Sequence, residues 1–149
     1  MCEQMKALAS IVLAFALAGC ASTQSVSFSP SKDYAVSIRS ELFDAIRIDK
    51  NDITLFSDGK AIGYLRVEPI PADVASSPDI LKTLRSASES ETVKTQALNV
   101  SPGFTGFSAQ FRDYLTGYLM NEESPDTILI IRFPDSEFDT LTGTISPAT

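Results

Sequence analysis

Ser57-Asp58-Gly59-Lys60 stands between two apolar-rich runs, Ile53-Thr54-Leu55-Phe56 and Ala61-Ile62-Gly63-Tyr64-Leu65-Arg66-Val67. Asp-Gly tolerates the positive φ angles of a two-residue hairpin turn, so this stretch predicts two antiparallel strands with Asp58 and Lys60 at an exposed tip. Alternation recurs on either side of it. Tyr34, Val36 and Ile38 share one face of a half-buried strand. Ser40 to Ile46 fits either a helical turn or a second strand, and Thr92 to Val100 is strand-like until Pro102 and Gly103 break it. Between Gly106 and Met120 the residues Phe107, Phe111, Tyr114, Leu115, Tyr118 and Leu119 also fit a helix face. Phe, Tyr and Thr favour strands, however, and Gly117 would weaken a helix interior, so a hairpin near Arg112-Asp113 is predicted. Thr127 to Phe133 is an almost unbroken, β-branched apolar run, the composition of a central strand covered, or nearly covered, on both faces.

Two helices are expected beside these strands. Pro69, Pro71 and Pro78 mark a loop. Ser77 can cap a helix with Pro78 at its first position, Asp79 near the positive dipole end, and Ile80, Leu81, Leu84 and Ala87 turned inward. The polar run Ser86 to Glu91 reads as a solvated loop. After Pro134, Asp135 and Ser136 can cap a second helix that buries Phe138, Leu141 and Ile145 before Pro147 closes it. The predicted fold is α+β, a mostly antiparallel sheet of about five to six strands with two helices packed against it. The ending, strand then Phe133-Pro134 then Glu137-Phe138-Asp139 and helix, looks like the small Mog1/PsbP-type domains of other lipoproteins. That is a likeness of fold and implies no activity.

At the N-terminus, Lys6 precedes an uncharged run, Ala7 to Ala18, too short to span a bilayer as a helix, which takes about 20 apolar residues. It reads as the apolar region of a cleavable secretion signal, and Met5 offers a start that places Lys6 directly before it. The run ends in Leu17-Ala18-Gly19-Cys20, which resembles the lipobox of bacterial lipoproteins. The resemblance implies diacylglycerol on the Cys20 thiol, with Leu17, Ala18 and Gly19 recognised by signal peptidase II and cleavage after Gly19. A thiolate is the nucleophile that such an alkylation requires. Two or three acyl chains anchor stably, since each buried methylene contributes about 0.8 kcal/mol. Ala21 and Ser22 stand where an Asp would retain a Gram-negative lipoprotein in the inner membrane, so the expected address is the cell envelope and, in a Gram-negative cell, the outer membrane, facing the periplasm. The expected organisation is a signal at 1–19, a lipidated cysteine and flexible Ser/Thr/Gln-rich tether at 20–32, and one α+β domain at 33–149. A first edge strand through Val26 and Phe28 is the alternative for the tether.

Removing residues 1–19 leaves 130 residues, the size of one domain. The signal holds one Lys and one Glu, so the net charge of −7 is unchanged, which argues against nucleic acid and favours basic partners. The two cysteines are Cys2, lost with the signal, and Cys20, consumed by lipid, so no disulfide is expected. The absence of His excludes a Ser-His-Asp triad, a Cys-His dyad and histidine-bound zinc or haem. No cofactor or metal is expected.

Glu122-Glu123 with Asp126, and Asp135 with Glu137 and Asp139, are the candidate carboxylate groups, yet their spacing lacks the ligand loop of a cation site. Loop solvation and helix N-terminal charge account for both. Phe104, Phe107, Phe111, Tyr114 and Tyr118 could line a groove, though a domain without Trp or disulfides needs rings in its core. Asn99-Val100-Ser101 matches a glycosylation acceptor that a bacterial lipoprotein would not use. Together these features indicate a non-enzymatic envelope lipoprotein that acts as a protein-interaction or accessory module. The alternative is a periplasm-facing protein that binds a small ligand or inhibits a basic partner enzyme.

Overall fold

The computed structural model describes residues 24–148. The signal, the Leu17-Ala18-Gly19-Cys20 box and the first residues of the expected tether lie outside the described residues. Nine strands follow in order: β1 (Ser25–Ser31), β2 (Tyr34–Arg39), β3 (Ala45–Asp49), β4 (Asp52–Ser57), β5 (Lys60–Pro69), β6 (Lys94–Ala97), β7 (Phe104–Phe111), β8 (Tyr114–Asn121) and β9 (Ser124–Pro134). The helices are α1 (Ala72–Ala75), α2 (Ile80–Ser88) and α3 (Asp135–Thr142), and a 3-10 turn covers Ser40–Leu42. β1 and β2 form a separate hairpin, and the other seven strands form one antiparallel sheet in the order β3-β4-β5-β9-β8-β7-β6.

The fold class is therefore α+β with the sheet dominant, but the described residues form nine strands rather than five or six. Two come from segments whose sequence pattern is weak. Of the two readings of residues 25–31, tether or edge strand through Val26 and Phe28, the strand is present as β1: Phe28 and Pro30 are buried by pairing with β2, which outweighs the Ser-rich composition. The ambiguous Ser40 to Ile46 contains both elements, a helical turn and then β3 at the sheet edge.

The Asp-Gly turn forms as expected, with φ of 51° at Asp58 and 72° at Gly59, joining β4 to β5. The hairpin at Arg112-Asp113 also forms, with Arg112 at φ 56°. β9 is central, paired to β5 on one side and β8 on the other.

Both helix caps differ from expectation. In α2 the cap is Asp79, whose carboxylate accepts from the Lys82 N–H at 2.9 Å, while Ser77 Oγ accepts from the Asp79 N–H at 3.3 Å. The helix thus starts two residues later than expected, with Ser77 and Pro78 in the turn before it. α3 has no side-chain cap, because the cap position is held by Pro134, which has no side-chain acceptor, and Asp135 is already the first helical residue, its N–H given to the Asp113 carbonyl at 3.0 Å. α2 buries no residue fully; Ile80, Leu81 and Leu84 are half-buried and Ala87, expected inward, is exposed.

Register divides the large sheet into two faces. The inner face contributes Ile53, Leu55, Leu65, Leu119, Leu129, Ile131 and Phe133 to one core with Phe28, Tyr34, Val36 and Ile38 of the β1–β2 hairpin and Phe138, Leu141 and Ile145 of the C-terminal segment. Tyr34 is fully buried; its hydroxyl donates to the Thr127 carbonyl at 2.9 Å and accepts from the Asn121 N–H at 3.3 Å. Burial raises its pKa above the ordinary 10.0. Because the folded state holds this proton more tightly, Tyr34 contributes stability below pH 10 that is lost as pH rises through the folded pKa. Tyr34→Phe is expected to cost about 1 kcal/mol at pH 7 and to flatten the decline of urea-unfolding free energy above pH 10; an equally steep decline in the variant would refute the assignment.

Candidate functional site

The outer face of the sheet is unevenly covered. At the β6–β7 end α2 lies over it: the Arg85 guanidinium donates to Thr95 Oγ1 at 2.7 Å and to the Thr95 carbonyl at 3.1 Å, and Phe107, stacked on Tyr118 with centroids 4.9 Å apart, is buried. Towards β3 the face is open. Paired residues point to the same side of a sheet, so the register Arg47↔Thr54↔Tyr64↔Arg132↔Thr116 places these five side chains in one row across β3, β4, β5, β9 and β8.

The arginines of this region are held by rings. Arg47 lies over Phe56 with 5.6 Å from Cζ to the ring centroid, Arg66 over Tyr64 at 5.5 Å, Arg112 over Phe111 at 5.3 Å and Arg132 over Tyr114 at 5.2 Å. Charge pairing separates them further. Among the described residues Arg39, Arg66 and Arg85 are ion-paired, to Glu137 and Glu41, to Asp52 and Glu68, and to Glu89 respectively. Arg47, Arg112 and Arg132 make no ion pair there. Arg132 is the half-buried one of the three and sits on the central strand, beside an open hollow of about 300 Å3 lined by Thr54, Ala61, Ile62, Gly63, Tyr64 and Tyr114.

Acids border this row on both sides. One register step towards the β3–β4 turn lie Asp49, Asp52 and, paired to Asp52, Arg66. At the opposite strand ends stand Asp44 with Asp58, joined by the Asp58 N–H to Asp44 Oδ2 bond at 2.7 Å, and Asp113 with Asp135. The row itself carries two guanidiniums, two threonine hydroxyls, a tyrosine and no carboxylate.

The candidate carboxylates from sequence do not converge. Glu122 and Glu123 form the exposed β8–β9 turn, and Asp126 is exposed on β9. On α3, Glu137 Oε2 pairs with Arg39 at 2.7 Å while Asp135 and Asp139 face solvent. No group of three metal-ligating side chains is present among the described residues. The aromatic set divides: Phe104 joins the inner core, Phe107 is buried on the outer face beneath α2, Tyr114 and Tyr118 are half-buried on that same face, and Phe111 is 44% exposed. Asn99 lies in the connection between β6 and β7. Sequence reasoning passed over Arg47, Arg66 and Arg132. The readable signal was Arg132 itself, one charge inside the apolar run 127–133, which marks the position where the outer face of the central strand is open to water.

Comparison with protein-family models, with curated proteins and with solved structures finds no match to this chain.

Proposed function

We propose that the chain is an envelope lipoprotein, anchored through lipid on Cys20, whose domain is a non-enzymatic interaction module that presents the open half of its outer sheet face to a partner protein. The observation that carries this reading is the row through Arg132: guanidiniums preset on aromatic rings, with hydrogen-bond donors unclaimed among the described residues, on a flat and accessible surface. Rigid rings and arginines of this kind are the side chains that anchor protein interfaces. A small-ligand site would enclose most of its ligand, whereas the hollow beside Arg132 is open to solvent. Absence of His, the lack of any cysteine after Cys20 and the separation of the candidate carboxylates support a non-enzymatic role. The lipobox resemblance supports a lipid-anchored envelope address and, in a Gram-negative cell, Ala21 and Ser22 after the cysteine support the outer membrane, facing the periplasm.

The test is site-specific photocrosslinking in the cells that make the protein. A photoreactive residue at Thr116 or Thr54 is expected to give a discrete adduct with an envelope protein, and one at Thr140, exposed on α3, is expected to give none. Equal labelling from all three positions, or none from the sheet face, would overturn the reading.

A further inference from the structure

Resting on that interaction reading, we infer that the row Arg47–Thr54–Tyr64–Arg132–Thr116 takes an extended acidic peptide segment of the partner, one carboxylate seated on Arg132 and a second on Arg47. Three observations carry this. First, Arg132 is fixed over Tyr114 and half-buried, yet its guanidinium has no acid partner among the described residues, although Arg39, Arg66 and Arg85 each have one. A guanidinium presents a fork of donors that matches a carboxylate in two parallel hydrogen bonds. Second, Arg47 and Arg132 occupy the same register row three strands apart. At about 4.8 Å between strands their backbones are separated by about 14 Å, the length of about four residues of extended chain at 3.4 Å each, and because Arg47 leans towards β4 over Phe56 and Arg132 leans the same way, towards β8, over Tyr114, the guanidiniums keep a similar spacing. A peptide crossing the strands thus meets both arginines with acids at positions i and i+4, and its intervening residues meet Thr54 and Tyr64. Third, the row is a basic strip whose borders carry a net negative charge: Asp49, Asp52 and Glu68 around the ion-paired Arg66 on one side, Asp44, Asp58, Asp113 and Asp135 on the other. A densely charged polymer such as nucleic acid would overlap those borders and be repelled, whereas a peptide with two well-spaced carboxylates fits the strip.

The experiment uses the full chain in detergent micelles and fluorescein-labelled twelve-residue Thr/Val/Ser peptides carrying two Glu at spacing two, four or six. A Gln-for-Glu peptide, single-stranded DNA and heparin serve as competitors. The spacing-four peptide is expected to bind at least ten-fold more tightly than its Gln counterpart and several-fold more tightly than the other spacings. Arg132→Gln should lose about ten-fold and Arg47→Gln several-fold, Arg132→Lys should fall between, and circular dichroism should report an unchanged fold for each. Arg132→Glu should reverse the preference, favouring a peptide with Lys in place of Glu. Equal affinity for Glu and Gln peptides, indifference to Arg132→Gln, no binding, or preference for DNA or heparin would each overturn the inference. Crosslinks from Thr116 together with any of those results would leave the interaction module standing and remove its acidic ligand; absence of crosslinks would remove the face itself.

Discussion

Phe138→Ala is expected to lower the unfolding free energy by about 3–5 kcal/mol, measured by urea titration of the folded domain. Phe138 is 0% exposed and is the main apolar contact of α3 with the inner face of the sheet. Its socket is Gly117 on β8, where a Cβ would stand 2.8 Å from the Phe138 ring and 3.2 Å from Leu119 Cδ1. Removing the ring leaves a cavity in a core whose neighbours, Leu141 and Ile145, are already packed. Domains of this size are stable by about 5–15 kcal/mol, so the loss is a large part of the total. Gly117→Ala should destabilise from the opposite direction, by about 1–3 kcal/mol through overpacking. Because both changes act on one contact, Phe138→Leu in the Gly117→Ala background should cost less than the two single effects added. Strict additivity, or a Phe138→Ala effect below about 1 kcal/mol, would show that α3 is not held as described.

Cys20→Ser is expected to abolish incorporation of labelled palmitate and to leave uncleaved or mis-sorted precursor, an all-or-none effect. The thiolate is the nucleophile in the proposed lipid transfer, and a serine hydroxyl of nearly equal size does not replace it. The unaltered protein should partition into detergent and accumulate as precursor when signal peptidase II is inhibited. Cys2→Ser should have no effect, because Cys2 lies upstream of the proposed cleavage. Labelled lipid on the Cys20 variant, or unaltered protein free in the periplasm after an ordinary signal cut, would dispose of the lipoprotein assignment and with it the proposed address.

Where local chemistry and tertiary packing agree, the fold was legible in the residues. Asp58-Gly59 needed positive φ and took it, Tyr34, Val36 and Ile38 alternated and were buried together, and the run 127–133 became the central strand. Misreadings fell where packing decides against local pattern. Ser25–Ser31 has the composition of a linker, but two buried residues, Phe28 and Pro30, suffice to make it a strand once β2 is beside it. Ser77 and Asp135 are good caps by residue type, yet the cap positions fall to Asp79, whose carboxylate takes the Lys82 N–H, and to Pro134, which has no side-chain acceptor. The candidate site was hidden for a different reason. Arg47, Tyr64 and Arg132 are distant in sequence and become neighbours only through strand order and register, which no single segment encodes.

If Cys20 carries the proposed lipid, the early start of β1 limits how far the domain could stand from it. Gln24 is already tied to the fold, its carbonyl accepting from the Ser40 N–H at 2.8 Å. A leash from Cys20 to Gln24 reaches at most about 14 Å even when fully extended, against about 45 Å had it run to residue 33. With so short a leash the domain would skim the headgroups and sweep a thin layer of solvent. A partner would have to arrive within that layer, so proteins embedded in or resting on the same bilayer would meet the arginine row far more often than those diffusing freely.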